Sequence, residues 1–135
     1  MKRLLGFVMV AALMIAGLSC GNDATASGPG TLKVRLTSPN SGLDSAVVVT
    51  ISGPAALTSA TAGTGLRLFP QTLGGTTTRF ALTGLLSNGA TILTIGVSDL
   101  GGASQYTGTV DAVALPNFQV RTPLQLGGYA LAVTR

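Results

Sequence analysis

The chain has 135 residues, 8 Lys or Arg against 4 acidic residues, no His, no Trp and one Cys. All four acidic residues are Asp, so neither of the commonest general acid–base side chains, His and Glu, is present. This composition excludes Ser-His-Asp and Cys-His nucleophile systems, zinc sites of the Cys/His kind, and any disulfide within the chain.

Lys2 and Arg3 precede an apolar or small stretch from Leu4 to Leu18, which ends at Leu18-Ser19-Cys20. A short basic start, an apolar centre and a small-residue end describe an export signal. At 15 residues the stretch is short of the ~20 needed to span a bilayer, although an uncleaved membrane helix is one alternative. Another is ordinary secretion, with a cut after Ala26 at Ala24-Thr25-Ala26. Leu18-Ser19-Cys20 resembles the lipobox of bacterial lipoproteins, with Gly17 where that pattern prefers Leu, Val or Ile. The resemblance implies cleavage before Cys20, a diacylglyceryl thioether on its sulfur, and a further acyl chain on the new amino terminus. Two or more acyl chains hold a protein stably on a membrane, where one is marginal. By the same analogy, Gly21 in place of Asp sends the protein to the outer membrane if the cell has one. Otherwise it stays on the outer face of the plasma membrane.

This divides the chain into a signal peptide at 1–19, a lipidated Cys20 with a tether through residue 30, and a domain at 31–135. Residues 21–30 are small, polar and turn-forming, as in a Gly/Ser linker. Without residues 1–19 the chain keeps six basic and four acidic residues. Lys33, Arg35, Arg67, Arg79, Arg121 and Arg135 form no run, so they read as solubilising charges on strand faces and not as a nucleic-acid patch.

From Thr31 the pattern has period two. Leu32, Val34 and Leu36 alternate with Lys33, Arg35 and Thr37, as in a half-buried strand. Residues 38–42 make a turn. Residues 46–52 are β-branched and nearly continuous, which predicts a central strand. A weak strand at 57–61 and a short one at 66–69, ending at Pro70, come next. Residues 77–83 alternate again, Ser87-Asn88-Gly89 is a turn, and 91–97 is a strand. Residues 105–114 carry Tyr106, Val110 and Ala112 on one parity, and 118–121 and 129–133 close the chain. Eight or nine short strands with Gly-rich turns predict an all-β fold after the signal helix. The expected form is a two-sheet antiparallel sandwich of immunoglobulin-like or jelly-roll type, folding as a monomer without metal or cofactor.

The run from Asp44 to Pro54, residues 105–110 and residues 127–133 look like pieces of small uncharacterised bacterial lipoproteins. Their sandwich is similar to cohesin-type binding modules. That resemblance implies no activity and no catalytic residues.

Asp44, Asp99 and Asp111 are the carboxylates of the domain, and a pair of them is the minimum for glycoside chemistry. Each is read first as a turn or wet-face residue. Gly74-Gly75, Gly101-Gly102 and Gly127-Gly128 read as turns or bulges, and Tyr106 and Tyr129 as core. The expectation is a lipid-anchored envelope protein with a binding or scaffolding role and no catalysis. Its partners are the membrane through Cys20 and an envelope protein or polysaccharide. A purely structural surface lipoprotein and an Asp-dependent glycan enzyme are the alternatives. The surface expected to bind is a sheet face rich in Thr and Arg, such as that carrying Lys33, Arg35 and Arg79, or the loops at one end of the sandwich.

Overall fold

The computed structural model describes residues 27–135. The signal peptide, Cys20 and most of the tether lie outside these residues. The described chain forms β1 (Gly30–Thr37), β2 (Asp44–Ser52), β3 (Ser59–Ala62), β4 (Arg67–Gly74), β5 (Thr77–Leu86), β6 (Thr91–Val97), β7 (Thr107–Ala114) and β8 (Ala130–Thr134). Two short 3-10 helices, Leu100–Gln105 and Gln125–Gly128, precede β7 and β8.

Two four-stranded antiparallel sheets result, in the orders β3-β6-β1-β8 and β4-β5-β2-β7. The pairs β4·β5, β3·β6, β2·β7 and β1·β8 nest around one central hairpin and fall alternately in the two sheets. The fold is therefore an all-β sandwich of two antiparallel sheets, as expected.

Period two puts the core between the sheets. Leu32, Val34 and Leu36 of β1 are fully buried, as are Val49 and Ile51 of β2 and Ile95 of β6. Leu32 lies opposite Ile95, and Val34 opposite Leu93 and Val133. In the second sheet Val47 faces Leu82 and Val113, and Val49 faces Phe80 and Val110. Burial of each such side chain stabilises the fold by about 1.5–3 kcal/mol.

Four local expectations are corrected. β4 does not stop at Pro70 but runs through it, with Pro70 opposite Phe80. β4 is an edge strand, where a missing N–H that faces outward removes no ladder bond. Residues 118–121 are not a strand; only Val120 makes an isolated bridge, to Ala114. Gln105 belongs to a 3-10 helix and not to β7. The parity of β7 also breaks. Val48 pairs with Ala112 and the next residue, Val49, with Val110, so Asp111 is bulged out. Past this bulge Val113, and not Ala112, points into the core.

The loops divide between two ends. At the entry end are residues 27–29, 53–58, 75–76 and 98–106, together with Arg135. At the far end are residues 38–43, 63–66, 87–90 and 115–129. β1 opens at Gly30, inside the stretch read as tether, because the chain is already fastened at Gly28. Asp99 Oδ1 accepts the Gly28 N–H at 3.0 Å, and Gly28 C=O accepts the Leu100 N–H at 2.8 Å.

Candidate functional site

The far end holds a buried polar network. Asp44 is not a turn residue: it opens β2 and is 0% exposed. Arg121 is not a solubilising charge; its side chain is nearly covered and turned inward. Its Nε and Nη2 stand 2.7 and 2.6 Å from Asp44 Oδ1. The Tyr129 hydroxyl donates to the other oxygen, Oδ2. The same hydroxyl accepts from Asn40 Nδ2 at 2.9 Å. Asn40 N–H in turn reaches Ser38 Oγ at 3.1 Å, and Ser38 N–H reaches Asn88 Oδ1 at 2.9 Å. Asn88 N–H closes the chain on Ser41 Oγ at 2.9 Å. Tyr129 is core, as expected, but only by its ring. Its hydroxyl is a working part of the network.

Three of the four far-end loops are thus tied to one carboxylate. Burial, and then the bond to Asp44, pushes the Tyr129 hydroxyl pKa above its ordinary value of 10.0. The bond to Asp44 holds the Arg121 guanidinium more firmly protonated. Both Asp44 oxygens are occupied, and no buried side-chain polar atom among the described residues lacks a partner. A buried carboxylate with both oxygens hydrogen-bonded in this way fixes structure.

The network anchors the long connection from β7 to β8. Arg121 N–H bonds Val113 C=O at 2.8 Å, and Leu115 N–H bonds Gln119 C=O at 2.9 Å. Leu115-Pro116-Asn117-Phe118 turns between them, closed by Phe118 N–H on Leu115 C=O at 3.0 Å. Phe118 sits at φ +67°, and it is the one non-glycine residue described at positive φ.

The other carboxylates lie elsewhere. Asp111 is exposed on the outer face of the second sheet, where the Thr50 hydroxyl donates to it and Arg79 Nε is 3.6 Å away. Asp99 caps the 3-10 helix Leu100–Gln105 at the entry end, accepting Gly101 N–H at 2.9 Å on Oδ1. Asp44 stands four strand positions, or ~13 Å, from Val48, which neighbours the bulged Asp111. It also points to the opposite side of the sheet. Asp99 is at the other end of β2, roughly 25 Å from Asp44 at strand spacing. Paired glycosidase carboxylates stand about 5–10 Å apart. The three therefore do not converge. Among the described residues no group of three or more His, Cys, Asp or Glu is placed to hold a metal.

Gly101 N–H and then Gly28 N–H hold the Asp99 carboxyl below its ordinary pKa of 3.8. A lowered folded pKa gives a contribution that is complete above the unfolded value, about 3.9, and is lost as pH falls through the folded one. The Gly28 clasp should thus be intact at pH 6 and loosen below about pH 4. Hydrogen exchange at the Gly28 amide, corrected for intrinsic rate, reads this. In Asp99→Asn the acid dependence should disappear; equal wild-type protection at pH 6 and pH 3 contradicts it.

Above Asp99 lies an open cleft of about 340 Å³, lined by Pro54, Ser98, Asp99, Gly102, Gln105 and Tyr106. Tyr106, one of its lining residues, is 4% exposed. Its ring packs closely against Gly53, where a Cβ would come within 2.1 Å of it.

The expected binding face is split by the fold. Lys33 and Arg35 share the outer face of β1, beside Thr94, Thr91 and Thr134. Arg79 is on the outer face of the other sheet, opposite Thr50 and Gln71. That second face is apolar toward the far end. Ala46 lies between Thr83 and Ala114, and Val48 between Ala81 and Ala112, with Phe69 beyond Ala81. Between Ala46, Val48, Ala112, Ala114 and Val120 is a hollow of about 110 Å³ with almost no polar surface.

Missing from the sequence reading were the roles of Asp44 and Arg121. They are 77 positions apart, and the one available signal was an acidic residue directly opening a β-branched strand.

No protein-family model matches the chain, and neither curated proteins nor solved structures give a match. Among the described residues no helix is long and apolar enough to cross a membrane.

Proposed function

We propose that this chain is a lipid-anchored β-sandwich of the cell envelope with a non-enzymatic binding or scaffolding role. The observation that carries the reading is polar order along the molecule. The chain enters one end at Ser27, seven residues after Cys20. The opposite end displays Leu43, Leu85, Phe118, Val120 and Leu124, each more than half exposed. A sandwich held at one end and apolar at the other suits a protein that presents a surface away from its anchor. Carboxylates that stand apart, one of them buried in an ion pair, favour binding over turnover. Gly21 favours the outer membrane where the cell has one.

Intact mass spectrometry of the protein from envelopes tests the anchor. The expected species begins at Cys20 and carries acyl mass. Cys20→Ala should accumulate as full-length precursor or as a form cut after Ala26, and should leave the membrane fraction. A wild-type protein that begins at Ser27 without acyl mass overturns the reading. For the non-enzymatic part, Asp99→Asn and Asp111→Asn are the informative changes, since Asp44 is needed by the fold. Hydrolysis of an envelope polymer that either change abolishes would install the enzyme instead.

A further inference from the structure

We propose that the entry-end cleft beside Asp99 binds a pyranose ring of a neutral glycan, held by Asp99, Gln105 and the Tyr106 hydroxyl. The inference rests on the binding reading above and names one ligand class for it; it does not require the anchor.

The cleft has the size. Ligand sites begin at about 300 Å³, and this one is about 340 Å³. A closed cavity of about 150 Å³ holds benzene. A hexose has about twice as many heavy atoms and takes roughly 300 Å³ by the same measure. Glycine helps keep the space open. A Cβ on Gly102 would crowd Pro54 Cγ at 3.2 Å, and both residues line the cleft.

Its polar groups have bonds still to make. The two tyrosines of the domain differ here. Tyr129 engages Asp44 and Asn40 through its hydroxyl, whereas no group among the described residues bonds the Tyr106 hydroxyl. No enclosed side-chain polar atom among the described residues lacks a partner. The hydroxyl is therefore where this nearly covered residue still meets solvent, and Tyr106 borders the cleft. Asp99 is half engaged. The two N–H groups it accepts, from Gly28 and Gly101, both go to Oδ1. Oδ2 accepts none, and a Cβ on Gly101, another lining residue, would stand 3.4 Å from it. Gln105 is exposed, with its side-chain amide unbonded among the described residues.

The chemistry of these groups selects the ligand. The one charge among the lining residues is the Asp99 carboxylate, which its two N–H donors keep ionised, so an anion is repelled. An apolar ligand would cover the carboxylate and the phenol without partners. An ammonium group only donates, and leaves the Gln105 amide N–H groups unmatched. A sugar hydroxyl gives its hydrogen to Asp99 Oδ2 and takes one from Tyr106 or Gln105, and adjacent hydroxyls on one ring do both. No second carboxylate lines the cleft, so binding without hydrolysis is expected there.

Titration of the isotopically labelled full chain, in a detergent without a sugar headgroup, reads this through amide chemical shifts. Glucose, galactose, mannose and N-acetylglucosamine are the probes, each to about 100 mM, with ethylammonium chloride as the cation control. At least one sugar should bind with a dissociation constant of about 1–50 mM, moving the amides of residues 53–55 and 98–106. Tyr106→Phe should weaken that binding about threefold to tenfold. The Phe variant should melt no lower than wild type, because the hydroxyl it loses bonds nothing in the fold. Asp99→Asn, which keeps Oδ1 for Gly28 and Gly101, should weaken binding about tenfold. The proposal is overturned if none of the four sugars gives a saturable shift, if the shifts lie elsewhere on the molecule, or if Tyr106→Phe binds as wild type does. Ethylammonium moving the same amides at lower concentration than the sugars overturns it too. Each of these failures leaves the anchor reading standing, which the mass of the mature protein tests separately.

Discussion

Replacing Asp44 by alanine should destabilise the sandwich by about 3 kcal/mol, the lower end of what breaking a buried ion pair costs. For a domain of this size that lowers Tm by roughly 10–20 °C. The change removes the acceptor of Arg121 and of the Tyr129 hydroxyl together. It leaves a guanidinium nearly covered by protein with nothing opposite it. Tyr129→Phe removes one donor and keeps the ion pair, so it should cost only about 1–2 kcal/mol. The two effects should not add, since both act on the same carboxylate. Amide protection should be lost first in residues 119–129, which the network fastens. An Asp44→Ala variant that melts within a few degrees of wild type would show that the loop is held by other contacts.

Phe80→Ala should cost about 3–5 kcal/mol, whereas Phe69→Ala should stay within about 1 kcal/mol. The two rings lie on adjacent strands and differ in face. Phe80 is 1% exposed and sits opposite Val49, between the sheets. Phe69 is 54% exposed, opposite Ala81, on the outside. Removing the first leaves a cavity that packed neighbours fill only in part; removing the second uncovers a surface already wet. Urea denaturation of both variants reads the difference. Comparable losses would mean that β4 is shifted by one residue against β5, which exchanges its two faces.

Strand periodicity in the sequence located the strands where alternation was clean. β1 and β6 fall within one residue of expectation, because Leu32, Val34 and Leu36 and the apolar run from Ile92 report directly on burial. Alternation failed at Asp111, where one inserted residue reverses the parity of everything after it. It also failed at Pro70, whose penalty depends on whether the strand has a neighbour on that side. That is a property of sheet order, which a local pattern does not carry. The far-end network was hidden for a related reason. Asp44, Arg121 and Tyr129 each look ordinary in their own segment, and only the return of the chain between β7 and β8 brings them together. The face expected from Lys33, Arg35 and Arg79 shows the same limit: neighbours along one strand stayed together, while the residue from another strand went to the other sheet.

The nesting of the strand pairs also sets an order of events in time. Only β4 and β5 are joined by a tight turn; the enclosing pairs join residues ever farther apart, and β1 with β8 spans Lys33 to Thr134. Contacts of such long separation form slowly, after shorter loops have closed. The first strand to leave a ribosome therefore waits for the last before one of its two edges is covered. For a protein proposed to cross a membrane before it folds, one edge of β1 would thus stay free for pairing until residues 130–134 arrive.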